Sequence, residues 1–144
     1  MITTRVHAPA FDVAAETAAL TAGRSDIGAL VTFTGLVRSD DGLAALTLEH
    51  YPGMTERQLA AVAATAWDRW PLLAGTVIHR NGRLAAGEAI VLVAIASAHR
   101  SAAFDAAAFL MDWLKTRAPF WKRDDAGVWV AAKASDDDAA ARWG

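Results

Sequence analysis

The chain reads as an α+β protein in which a mainly antiparallel or mixed sheet carries helices packed on it. Three observations predict this. Residues 28–37, 43–51, 76–80 and 89–97 are runs with the β-branched, aromatic or continuously apolar composition of strands. Residues 12–22, 55–70 and 101–117 are longer, and either rich in alanine or apolar at helical spacing. Turn signals such as Asp41-Gly42 and Asn81-Gly82 separate the strands, which favours hairpins over long crossovers. The 144 residues suit one domain spanning 1–144, and 54% hydrophobic with 21% charged residues is the balance of a globular protein.

Composition narrows the chemistry. The chain has no cysteine, so it offers no disulfide framework, no thiolate metal site and no cysteine nucleophile; any sulfur chemistry must import its sulfur. MITTRVHAPAF lacks a long apolar leader core, and the run Ala89–Ala96 is too short to span a bilayer, so a cytoplasmic protein with no membrane association is expected. A net charge of −2 argues against general nucleic-acid binding. Charge is nevertheless uneven. Between Ser97 and Arg123 five Lys/Arg stand against two acids, while acids gather at Asp124–Asp125 and Asp136–Asp138, a separation that points to a local anion site. No P-loop, GxGxxG or HExxH pattern is present, and neither cofactor nor metal is expected.

In chain order, Ile2–His7 forms a short strand and Asp12–Ala22 a helix closed by Gly23. Along the strand at 28–37, Phe33, Gly35 and Val37 share one face, and Thr34, Leu36 and Arg38 the other; Gly35 marks a bulge or a close approach. Arg38 sits where the strand runs out into a turn, a place where most arginines are simply solvated. Leu43–Tyr51 is expected to pair with that strand through Asp41-Gly42. Glu49 and His50 then point to opposite faces and share no metal. Thr55 and Gln58 form a capping box for a helix that runs to Trp70, with Leu59, Val62, Ala63, Ala66 and Trp70 as its buried stripe and Pro71 as its stop. Thr76–Arg80 is a strand entering the Asn81-Gly82 turn; His79 and Arg80 could be functional, but alternation already accounts for them. Ala89–Ser97 is a central strand buried on both faces, and it delivers His99 and Arg100 to the next helix.

That helix begins at Ser101 as N-cap and ends near Arg117–Ala118, before Pro119. Phe104, Ala108, Met111 and Lys115 form one face, so a lysine ends an apolar stripe. Its ammonium either snorkels to water or sits partly desolvated, with a lowered pKa that suits an acid, base or nucleophile. Ahead of the helix, His99 and Arg100 beside unpaired amides suit a phosphate, although the same pair also occurs on ordinary surfaces. From Arg100 to Lys115 is about 22 Å of helix, too far for both ends to hold one small anion. Either they serve separate purposes, or a symmetric dimer brings one chain's helix start toward the other's helix end; two basic ends favour the dimer. Beyond Pro119, Phe120–Arg123 and Val128–Lys133 form a hairpin, with Phe120 and Lys122 on one side and Trp121 and Arg123 on the other. Lys122 is either an edge lysine that guards the sheet or folds back toward Lys115, where the pair attracts an anion. Ser135–Trp143 reads as a short helix.

VTFTGLVR (31–38), LTLEHYPGM (46–54), VIHRNGRL (77–84), SAHRSAAFDAAAFLMDWLKTRAPFWKR (97–123) and the terminal ARW resemble the catalytic (large) subunit of molybdopterin synthase, with blocks in the same order over 26–143. The resemblance implies a hammerhead-type α/β fold and a central homodimer. Each protomer would bind a small ubiquitin-like sulfur-carrier subunit, giving a heterotetramer. It also implies an activity: a sulfurtransferase that converts cyclic pyranopterin monophosphate to molybdopterin with two sulfurs from the carrier's C-terminal thiocarboxylate. On this resemblance Arg38, His99 and Arg100 hold the phosphate and pterin, the last two from the neighbouring protomer. Lys115 is the principal catalytic group and Lys122 assists. Family contacts also fall on Arg123 and Lys133, and Phe33 and Met111 line an apolar wall. Leu36 stands where many relatives carry lysine, and the 39–43 turn is short. Two other readings stay open: a non-catalytic module binding the carrier tail or an anionic metabolite, in which Lys115 is dispensable, and a dimerisation domain in which neither lysine matters.

Overall fold

The computed structural model describes residues 1–38, 44–124, 129–130 and 143. Among them the order is β1 (Ile2–His7), α1 (Val13–Thr21), β2 (Ala29–Leu36), β3 (Ala45–His50), α2 (Met54–Arg69), β4 (Ala74–Arg80), β5 (Gly82–Ala85), β6 (Ala89–Ser97), α3 (Arg100–Thr116), β7 (Phe120–Asp124) and β8 (Trp129–Val130). The strands form two sheets, β1-β4-β6-β2 and β5-β3-β7-β8; β1 and β4 run parallel and the other pairs antiparallel, as an α+β chain with a mixed sheet should.

β6 is the axis of the first sheet. Ile90 to Ser97 are all buried, because the sheet is covered on both faces. On one face Val77, Val91, Val93 and Ile95 pack under α2 and α3 through Leu59, Val62, Ala66, Leu110 and Leu114. On the other face Ile78, Leu92 and Ala94 pack under α1 through Val13 and Leu20. α1 is closed as its sequence predicts, with Gly23 at φ +70° ending the segment, and Asp12 proves to be its N-cap, its carboxylate accepting from the Ala15 N–H at 3.2 Å.

Three expectations are corrected. β3 does not pair with β2: it lies between β5 and β7 in the second sheet, and β2 pairs only β6, as the edge of the first. A turn signal fixes a reversal of direction, not a partner. β3 buries Leu48 with Leu84 of β5 in the common core. The Asp41-Gly42 turn itself lies outside the described residues.

Thr55 does not cap α2. It is fully buried and its Oγ1 donates to the Tyr51 carbonyl at 2.8 Å. Gly53 takes the cap at φ +84°, with its N–H donating to the Glu56 carboxylate at 2.7 Å, a geometry that a side chain at position 53 would strain.

α3 starts at Arg100, with His99 rather than Ser101 as N-cap, and its buried stripe is Ala103, Ala106, Ala107, Leu110 and Leu114. The Phe104–Ala108–Met111–Lys115 line runs along the flank, where Phe104 is 58% exposed. Three small alanines let the helix axis approach the sheet closely, and that close approach decides which face turns inward.

The glycine signal in β2 is borne out. The register with β6 shifts between Gly35 and Leu36, and a Cβ on Gly35 would lie 2.6 Å from Val91 Cγ1. The C-terminal helix expected at 135–143 falls outside the described residues except Trp143. The Trp143 indole donates to the Asp112 carboxylate and sits edge-on to Trp70 and Phe109 beneath the Arg69 guanidinium.

Candidate active site

Pro119 separates α3 from β7, and after the reversal the charges of Lys115 and Lys122 both act on one buried imidazole. The imidazole is His79, on the β4 face that meets α3, only 8% exposed. Its pKa is lowered to about 4, first by burial and then by the positive charge of Lys115 and Lys122, with His50 adding to it. His79 Nδ1 lies 2.8 Å from the Arg80 carbonyl. A carbonyl can only accept, so Nδ1 carries the proton and Nε2 the lone pair.

Phe120 covers His79 with ring centroids 3.8 Å apart and planes 19° from parallel; His50 lies against the same phenyl ring at 5.8 Å. Strand register produces this arrangement. Phe120 is opposite His50 and Lys122 opposite Leu48, so all four side chains project from one face of the second sheet, toward the first. His50 is held in turn, with Nε2 3.2 Å from Asn81 Nδ2 and Nδ1 3.6 Å from the Glu56 carboxylate. The floor of the cluster is therefore aromatic and imidazole, and its charge comes from two ammonium groups. Such a site attracts an anion and can exchange protons with it.

The remaining predicted residues divide by position. Arg38 follows β2 beside the turn before β6, where the Val37 N–H donates to the Glu88 carbonyl at 2.8 Å and the Gly87 N–H to the Val37 carbonyl at 2.7 Å. His79 pairs with Val91, so Arg38 and the lysines lie toward the same end of the first sheet. His99 and Arg100 are exposed at the other end, where β6 finishes. Nine residues of β6 separate the two ends by about 27 Å. Phe33 is 41% exposed on β2 with its ring turned back over Gly35, and Met111 is half-buried on the flank of α3. Arg123 points away from Lys122 and holds Glu49 at 2.9 Å across the outer face of the second sheet. Lys133 lies outside the described residues.

From sequence His79, weighed with Arg80, comes second to an ordinary strand role, and His50 is considered only as a metal partner for Glu49; neither is placed in the site. An imidazole at an inward position between Val77 and the Asn81-Gly82 turn is the signal that marks His79; alternation alone treats it as an ordinary strand residue. Among the described residues no group of three or more His, Asp or Glu is placed to hold a metal.

As a class, fold and cluster define an α+β protein in which two lysine charges act on one buried, aromatic-covered imidazole. The family model described as MoaE protein matches residues 6–117. A molybdopterin synthase catalytic subunit of Mesorhizobium japonicum is 58% identical over 98% of this chain and 92% of its own length. The solved MoaE protein of Burkholderia ambifaria superposes with a TM-score of 0.86 at 50% identity, covering 100% of this chain and 99% of that one. A solved molybdopterin synthase of Staphylococcus aureus superposes at 0.75 with 27% identity over 88% and 91% of the two chains. The chain belongs to the MoaE protein family.

Proposed function

We infer that this chain is the catalytic subunit of a molybdopterin synthase, a sulfurtransferase of molybdenum cofactor biosynthesis. It converts cyclic pyranopterin monophosphate to molybdopterin, taking two sulfurs from the thiocarboxylated C-terminus of a small ubiquitin-like carrier subunit. The observation that supports the site assignment is that the charges of Lys115 and Lys122 both act on buried His79, whose ring stacks on Phe120. A chain without cysteine cannot be the sulfur source, and a phosphate-bearing substrate calls for fixed cations.

In this mechanism Lys115 acts on the carrier's terminal carbonyl or moves protons as sulfur adds to the pterin, and Lys122 assists. Arg38, at the same end of the sheet, binds the substrate's anionic part, with Phe33 and Met111 as an apolar wall and Lys133 as a further contact; Arg123, held by Glu49 on the opposite face of β7, stands apart from this cluster. His99 and Arg100 stand about 22 Å from Lys115, at the other end of α3, beyond the reach of one small substrate. They therefore serve the site of a second copy, in a homodimer that binds two carriers as a heterotetramer. The chain works as one domain, in the cytoplasm; no described helix is long and apolar enough to cross a membrane.

The test is product formation by purified protein with thiocarboxylated carrier and the cyclic pterin. Lys115→Ala is expected to lower turnover by about 10²–10⁴-fold while leaving carrier binding intact, and Lys122→Ala by less. Wild-type turnover from Lys115→Ala would sink the assignment, and carrier binding without product from any form would point to a binding module.

A further inference from the structure

α3 ends at Thr116 and β7 begins at Phe120, so only a short link joins the elements that carry Lys115 and Lys122. Where Lys122 stands relative to Lys115 therefore depends on where Phe120 lands. Phe120 has two aromatic-type neighbours. His50 belongs to its own sheet, opposite it in register. His79 belongs to the other sheet and makes the closer, stacked contact at 3.8 Å.

We propose that His79 is a positioning residue for the lysine pair: its ring, held in plane by the Arg80 carbonyl and stacked on Phe120, seats the start of β7 beneath the end of α3. This rests on the proposed role of the two lysines. A ring is required because the contact is face to face, and a smaller side chain would leave Phe120 free to tilt. An imidazole suits the place because its Nδ1–H satisfies the Arg80 carbonyl at 2.8 Å. Burial and the neighbouring ammonium groups hold it uncharged, so it adds no repulsion to an already cationic site.

The experiment compares His79→Ala, His79→Phe and His79→Asn with wild type, in complex with thiocarboxylated carrier. His79→Ala and His79→Asn lose the stack and are expected to lower kcat about 10–100-fold with KM for the pterin near wild type, because ångström-scale misplacement of a reacting group costs that much. His79→Phe keeps the stack and is expected to recover most of the loss. In parallel, the ¹³Cε resonance of Lys122, which senses the adjacent rings, is expected to move in the Ala and Asn variants and return in Phe. Unchanged kcat and an unchanged resonance in His79→Ala would overturn the proposal. So would failure of His79→Phe to restore either. Should His79→Ala not fold, the Asn and Phe variants decide the matter alone. The lysine resonance keeps the two readings apart: full turnover in Lys115→Ala and Lys122→Ala removes the lysine mechanism, while the shift still reports whether His79 sets the geometry.

Discussion

His79 couples the site to the stability of the fold. Its folded pKa of about 4 lies below the ordinary 6.5, so between those values the unfolded chain takes up a proton that the folded chain refuses. Full stability holds above about pH 6.5 and declines as pH falls toward 4, by on the order of 3 kcal/mol in all. Urea denaturation from pH 7 to 4 should display that slope in wild type, and His79→Phe should flatten it; equal slopes would exclude His79 as its source. Gly35 is a second pressure point. Gly35→Ala would press a methyl against Val91 Cγ1 at 2.6 Å and a Phe33 ring carbon at 3.3 Å, at a cost of about 1–3 kcal/mol in denaturant unfolding. At this scale the sequence was informative about charge and poor about burial. Lys115 and Lys122 stand out as cations among apolar neighbours. His79 does not, because a buried histidine and a half-exposed one look the same in an alternating strand.

Helices and strands were easier to read than their partners. The close of α1 at Gly23, the α2 stripe and the doubly buried β6 were all legible in the sequence, because local sterics translate residue type and spacing directly into a turn or a face. β3's place in the second sheet did not follow, because pairing is decided by which core needs a covering face rather than by the turn that precedes the strand. The α2 start shows a similar limit. Thr55 and Gln58 match a capping pattern, yet Gly53 and Glu56 perform it two residues earlier, because only Gly53 accepts φ +84° without strain. Glu56→Ala is accordingly expected to cost about 1 kcal/mol, measured by thermal unfolding, whereas Gln58→Ala, on an exposed position, should cost little. A larger loss from Gln58→Ala would reverse that assignment.

For the whole molecule, the separation of His99 and Arg100 from the lysines makes a definite statement about mixtures. Chains carrying Arg100→Ala and chains carrying Lys115→Ala, unfolded and refolded together in equal amounts, should regain about a quarter of wild-type activity, since half the dimers are mixed and one of their two sites is intact. No recovery would show that each chain completes its own site. The opposed basic ends were legible from helix length alone; in the sheet, β6 runs between the same two ends of the molecule. That strand also sets a timescale. With a paired strand on either side and Ile90 to Ser97 buried, its amides are expected to exchange with solvent only when the entire protein unfolds. The two basic ends hang on one such strand, so they should not melt one after the other: deuterium uptake beside Val91 and beside Ala96 should rise together, and the spacing between the proposed half-sites should persist for as long as the protein is folded.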